Sequence, residues 1–370
     1  MRRILLLAAK LLLILAAALL LCGNVSAETG ESPGNAIADA VPPEASEILE
    51  GAGVTPENNG AAGLTIDGTL SYLWELFLNR AAAPIRLLAA LCGIVLLCAL
   101  AGSAADGAGS MSGVFSVVGV LAGAGMTSAA VYDALSGTLE VLQTASRFML
   151  VFVPVFAGVI AAMGKVTAAS AANTVTLGAA QLFSQLAVNF LVPVCGTVLG
   201  LSVTGSIHQE LNIGRLGELI KKAAVWSLSL IMTVFMSILS AQTFVTNSAD
   251  TVLIKTAKFA VSSGVPIVGG TISDAVNTVH ASLSLLHSSI GTYGIIAGIV
   301  IILPSLISVA CYRMALSAAE AFSGVFGVKE LTELFKACGS VMAIIMAVIV
   351  CFLLLNTISA VIMLALGGTA

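Results

Sequence analysis

Charge is the scarcest feature of this chain. Of its 370 residues only 9% are Asp, Glu, Lys or Arg, while 58% are hydrophobic. Soluble domains carry about 25% charged and about 45–50% apolar residues. That shortfall excludes a cytosolic enzyme, a nucleic-acid binder and a secreted disulfide scaffold. Histidine occurs three times, and His280 and His287 have neither an H-E-x-x-H pattern nor an acidic companion, so no metal site is indicated. Seven cysteines lie in or beside apolar segments without a C-x-x-C, so neither zinc nor a redox pair is signalled. There is no G-x-x-x-x-G-K-[ST] and no G-x-S-x-G, which removes nucleotide-driven work and a nucleophile-elbow hydrolase. Asp133 and Asp274 lack the Gly-x-Gly-Asp element of an intramembrane aspartyl protease. No cofactor is expected, and the chain reads as non-enzymatic.

What the chain has is length of apolar run. Mean hydropathy is +1.07, the value of a protein whose solvent is mostly lipid. A bilayer core of ~30 Å needs about 20 apolar residues in helix. Runs that meet or approach this are Ile85–Ala101, Val114–Val131, Phe148–Met163, Leu177–Val203, Ala223–Val245, Ile290–Cys311 and Val341–Leu366. They are continuous and do not alternate, which excludes a β-barrel. The expected fold is an all-α, polytopic membrane protein with about seven transmembrane helices after an N-terminal signal or anchor. The spans are nearly bare of ionisable groups, which argues against an ion-coupled pump.

Charge is also unevenly distributed. Residues 1–27 carry Arg2, Arg3 and Lys10 and no acid, followed by the apolar run Leu11–Leu21 and the small residues of Val25-Ser26-Ala27. This is a signal peptide or a first anchor, and either places the next segment outside the cytoplasm. Residues 28–79 carry nine acids and no base. Within them, 28–63 is rich in Pro, Gly, Ala and Glu and reads as a disordered acidic linker. Residues 64–80 read as an amphipathic helix, with 81–370 as the membrane domain. An exported N-terminus then puts Arg80, Arg86, Arg147, Arg215, Lys221, Lys222, Arg313, Lys329 and Lys336 on the outer side. The inner side keeps Lys165, Lys255 and Lys258. That contradicts the positive-inside rule, so a span is miscounted, the segment from about 255 to 279 enters the membrane, or some basic stretch lies in the membrane interface.

Two further patterns concern packing. Ile213–Lys222 and Val328–Lys336 read as amphipathic connector helices lying on the membrane. Glycine pairs four residues apart at Gly119/Gly123, Gly196/Gly200 and Gly294/Gly298 let helix backbones approach closely, either within one chain or between copies of a homo-oligomer. Val153-Pro154-Val155, Val192-Pro193-Val194 and Val265-Pro266-Ile267 form a weak echo of proline-containing spans.

The polar information concentrates in residues 246–288. Asp250, Lys255, Lys258 and Asp274 balance in charge, and Gly264, Pro266, Gly269 and Gly270 lie between the lysines and Asp274. This composition suits two half-helices meeting at a Gly-Pro break, lining or gating a path, or a plain loop. The stretch also carries a resemblance. Ser248-Ala249-Asp250, Lys255-Thr256-Ala257-Lys258-Phe259-Ala260-Val261-Ser262 and Pro266 through Ala275 resemble the signature of the stage III sporulation protein AE family. Leu216, Glu218, Leu219, Lys221 and Lys222 upstream agree, as do Thr233-Val234-Phe235, Ser240 and Gln242. The chain departs from that pattern at His287 and Ser308, where bases are common.

The resemblance implies a membrane component of the mother-cell assembly that serves the engulfed forespore as a channel or secretion apparatus. Its implied partners are the other stage III sporulation A proteins and, across the intermembrane space, stage II sporulation protein Q. Residues alone leave a stand-alone solute transporter or a membrane scaffold as other readings. The lipid bilayer is a partner on any of them, and nucleic acid is not.

Overall fold

The computed structural model describes residues 33–51, 53–56, 66–105, 111–207, 219–220, 222–241 and 269–368. The leader at 1–27 lies outside the described residues. Two short helices come first, α1 (Pro33–Asp39) and α2 (Pro43–Gly51). Then follow α3 (Ile66–Ala105), α4 (Met111–Ala162), α5 (Val166–Leu186) and α6 (Val192–Ile207). The last three are α7 (Lys222–Ala241), α8 (Gly269–Val325) and α9 (Lys329–Gly368). The protein is all-α, and among the described residues six helices are long and apolar enough to cross a membrane.

The seven apolar runs are thus carried by six such helices among the described residues. Val114–Val131 and Phe148–Met163 belong to one helix of 52 residues, α4, about 78 Å long at 1.5 Å per residue. The intervening stretch stays helical because it is amphipathic. Ala134, Thr138, Leu142 and Ala145 face the interior, while Asp133, Glu140 and Arg147 face outward. Taken as one span, this helix reverses the side expected for every later connection, and with it the count of bases set against the positive-inside rule.

Residues 33–51 and 53–56 also differ from expectation. Instead of a wholly unstructured linker, α1 and α2 dock on the bundle, burying Ile37, Val41, Ala45, Leu49 and Val54. Ser289 Oγ of α8 donates to the Pro56 carbonyl at 2.7 Å. The apolar positions recur every four residues from Ile37 to Leu49, so a composition poor in hydrophobics still builds one buried stripe. Leu49→Asp places a carboxylate in that stripe without a partner. Cleavage within 33–56 in limited proteolysis of the purified protein is expected to rise about tenfold or more. Residues 66–80 of the expected amphipathic segment are not a separate element but the first turns of α3. Likewise Val328–Lys336 is the start of α9, burying Leu331, Leu334 and Phe335.

Contacts give the directions of the helices. Gly291, Gly294 and Gly298 of α8 meet Phe156, Phe152 and Met149 of α4, so these helices run antiparallel. Gly123 meets Leu331 and Gly291 meets Leu364, so α9 runs with α4 and against α8. Phe183 of α5 tilts on Phe352 of α9 with ring centroids 5.5 Å apart. Thr176 meets Met363, and α5 therefore runs against α9. Helices α4, α8 and α9 form the core, with Phe148, Phe152 and Phe156 stacked along α4 at 5.6 and 5.4 Å.

Two reversals are set by glycine. Gly164 has φ 89° and Gly327 φ 73°. After α4 the N–H groups of Gly164 and Lys165 donate to Ala161 and Ile160. After α8 those of Gly327 and Val328 donate to Gly324 and Ser323. Both are Schellman closures, which require a left-handed residue. Between α5 and α6, a π-turn at Ala187–Leu191 precedes Pro193. Pro193 lacks an N–H for the Asn189 carbonyl and its ring crowds that oxygen, so the helix widens there.

Candidate functional site

Of the signature segment, Asp250, Lys255, Lys258, Gly264 and Pro266 lie outside the described residues. Gly269 opens α8, which runs on through Gly270 and Asp274. The backbone is thus continuous helix from Gly269 onward, and the break expected near Gly264 and Pro266 lies outside the described residues.

The glycine pairs differ in what they meet. A Cβ at Gly119 would overlap Cys98 Sγ of α3, and one at Gly123 would sit 3.1 Å from Leu331. A Cβ at Gly294 would overlap the Phe152 ring, whereas at Gly298 the nearest atom is Met149 Cε at 4.0 Å. Gly196 and Gly200 have nothing within 4 Å among the described residues. They do not serve a described contact inside this chain. Gly291, which no pair in the sequence marked, is also closely packed, though less tightly than Gly294. A Cβ there would lie 2.6 Å from Leu364 and 2.8 Å from Phe156.

Sequence reasoning missed a set of buried polar groups. Lys165 is 5% exposed, and its Nζ donates to the Leu366 carbonyl at 2.6 Å. The Schellman turn at Gly164 brings this lysine to the C-terminal end of α9, where carbonyls lack helical partners and the helix dipole is negative. His287 lies nearby, buried, stacked on Phe156 at 4.7 Å and against the Met363 backbone. Its Nε2 has no hydrogen-bond partner among the described residues. The same holds for both amide atoms of Asn356 and for the hydroxyls of Ser146 and Ser359. Asn356 and Ser359 share the inner face of α9, one turn apart. An asparagine inside the apolar run Val341–Leu366 was the signal available for this set. Among the described residues, no three His, Cys, Asp or Glu side chains converge as a metal site.

On α7, Ser229, Thr233, Ser237 and Ser240 border a groove with Met232 and Met236. The Thr233 and Ser237 hydroxyls donate to carbonyls four residues back, at 2.9 and 2.8 Å. They satisfy themselves within the helix and leave an apolar-compatible surface.

The family model for stage III sporulation protein AE matches residues 54–367, from the end of the docked N-terminal segment to the end of α9. A curated relative, the stage III sporulation protein AE of Bacillus subtilis (strain 168), is 25% identical over 162 residues. That match covers 44% of this chain and 41% of the relative, so the chain aligns with less than half the relative's length. No solved structure matches. With the match spanning the whole helical bundle, the chain belongs to the stage III sporulation protein AE family.

Proposed function

We propose that this chain is the multi-pass membrane part of the assembly through which the mother cell serves the engulfed forespore, acting as its permease or export gate. The observation that carries this reading is the family match over residues 54–367. The reading assigns the protein to the mother-cell membrane facing the forespore. Its partners there are the other stage III sporulation A proteins and, across the intermembrane space, stage II sporulation protein Q.

Two physical features favour a path over a simple anchor. Buried polar atoms of Asn356, Ser359 and Ser146 lack partners among the described residues of an apolar bundle, an arrangement typical of functional rather than packing residues in membranes. Residues 250–274 join the span α7 to α8 with a Gly-Pro-rich, charge-balanced stretch, a composition suited to a gate.

The test is genetic. Deleting the gene and inducing sporulation is expected to arrest development after engulfment. Wild type should restore spores, and Gly269→Leu with Gly270→Leu should not, although the variant still inserts. Rescue by the variant would remove the gate from residues 250–274. Normal spores from the deletion strain, with no second copy of the gene, would overturn the sporulation role.

A further inference from the structure

Five buried polar side chains each keep an atom without a partner among the described residues. They are Ser146 of α4, Asn173 of α5, His287 of α8, and Asn356 and Ser359 of α9. All but Asn173 are at most 5% exposed. Buried polar groups are normally paired, with protein or with ordered water.

The five fall along one seam of the bundle. On α9, Phe352, Asn356, Ser359 and Met363 are spaced four, three and four and so form one stripe. On α5, Asn173, Thr176, Ala180 and Phe183 form another. The stripes face each other, because Phe183 packs on Phe352 and Thr176 Oγ1 reaches Met363 Sδ at 4.0 Å. Between those contacts α5 sets only the methyl group of Ala180 opposite Asn356 and Ser359. Gly123 meets Leu331, and Gly291 meets both Phe156 and Leu364. The two contacts give α4 and α9 the same register, which sets Ser146 level with Leu354, half a turn from Asn356. His287 stacks on Phe156 and bonds through its ring to the Met363 backbone, leaving Nε2 bare. From the level of Ser146 to Leu366 the groups cover about 18 Å, each about one helical turn from the next. Phe183 and Phe352 close one end of the seam, and Lys165 with the Leu366 carbonyl stands at the other.

Chemistry selects the occupant. Asn356 brings an amide donor and an acceptor, and each serine hydroxyl can act as either. Asn173 Oδ1 is an acceptor, and so is His287 Nε2 once the other ring nitrogen donates to Met363. An anion would face those acceptors, and a cation would face Lys165. Water, which both donates and accepts, suits all five.

We propose that a file of ordered water fills the seam between α4, α5 and α9, entering from the end of α9 and stopping at the Phe183–Phe352 pair. Such water completes hydrogen bonds that the protein leaves open. It also carries hydration deep into the apolar run Val341–Leu366, because Asn356 lies about 15 Å along α9 from Leu366. The inference stands on packing and does not rest on the sporulation role.

The test is X-ray hydroxyl-radical footprinting of the full chain in lipid nanodiscs, read by mass spectrometry. Radicals formed from bound water oxidise the side chains beside it. Met363 and Met342 make an internal pair, since both lie on α9 and are at most 1% exposed, but only Met363 borders the seam. Met363 is expected to oxidise several-fold faster than Met342. Equal rates would overturn the proposal, and that comparison needs no variant. Asn356→Leu with Ser359→Ala removes the lining that holds the water and is expected to bring Met363 down to the Met342 rate. Ser359→Ala alone, the milder change, is expected to lower the rate part of the way. A folded variant of either kind whose Met363 stays as fast as in wild type would also overturn the proposal, because fraying of α9 would then be what admits the radicals.

Discussion

Gly294→Ala is expected to prevent accumulation of the folded protein, whereas Gly200→Ala is expected to be silent. Both are helical glycines from pairs at identical spacing, and both exchanges add a single methyl group. At Gly294 that methyl falls on the Phe152 ring. Phe152 cannot move aside, because it is fully buried and stacked between Phe148 and Phe156. Overpacking a filled core costs about 1–3 kcal/mol and sometimes more, a large part of a total stability of about 5–15 kcal/mol. At Gly200 nothing lies within 4 Å among the described residues. There the exchange gains helix propensity of up to about 1 kcal/mol. The measurement is the yield of monodisperse protein from membranes together with its thermal midpoint. Adding Phe152→Ala to Gly294→Ala should recover part of the loss, since the two sites share one space. A stable Gly294→Ala protein would mean that α4 and α8 are not packed as described.

The same pair of glycines shows how far the sequence could be read. Apolar length identified the membrane helices, because burying twenty-odd apolar residues in lipid is a local property of a segment. Continuity was not local in that way. The stretch from Tyr132 to Arg147 averages close to neutral in hydropathy, yet its charged residues Asp133, Glu140 and Arg147 lie outward and its interior side is filled by Ala134, Thr138, Leu142 and Ala145. Periodicity would have joined the two runs into one helix. The four-residue rhythm of Ile37, Val41, Ala45 and Leu49 was legible in the same sense, but composition pointed to a linker. Glycine spacing could show that two helices might approach, not which pairs had a neighbour. Gly291 and Gly294 acquire their role from Phe156 and Phe152 on a helix far away in the chain, and no local pattern carries that. Lys165 was visible only as a lone base after a glycine, and its partner is a carbonyl two hundred residues on.

That partner makes Lys165 the second position where substitution is expected to tell. Its ammonium, on the residue after a left-handed glycine, donates at 2.6 Å to the Leu366 carbonyl near the end of α9. The bond ties the α4–α5 reversal to the C-terminus of a core helix, and the negative end of the α9 dipole favours a cation there. Hydrogen bonds made by charged groups contribute about 1.5–3 kcal/mol. Lys165→Ala removes that bond, leaves the carbonyl without its donor and opens a cavity where the stem lay, so the two losses add. Lys165→Met keeps most of the volume and also removes the cost of burying a charge, so its loss should be smaller. The expected order of thermal midpoints in detergent is wild type, then Met, then Ala. Fluorine labels at the end of α9 should broaden in the Ala variant as the last turn frays. A Met variant more stable than wild type would show that desolvation outweighs the bond, leaving the lysine in place for a reason other than stability. An Ala variant with unchanged midpoint would show that α9 does not end on this lysine at all.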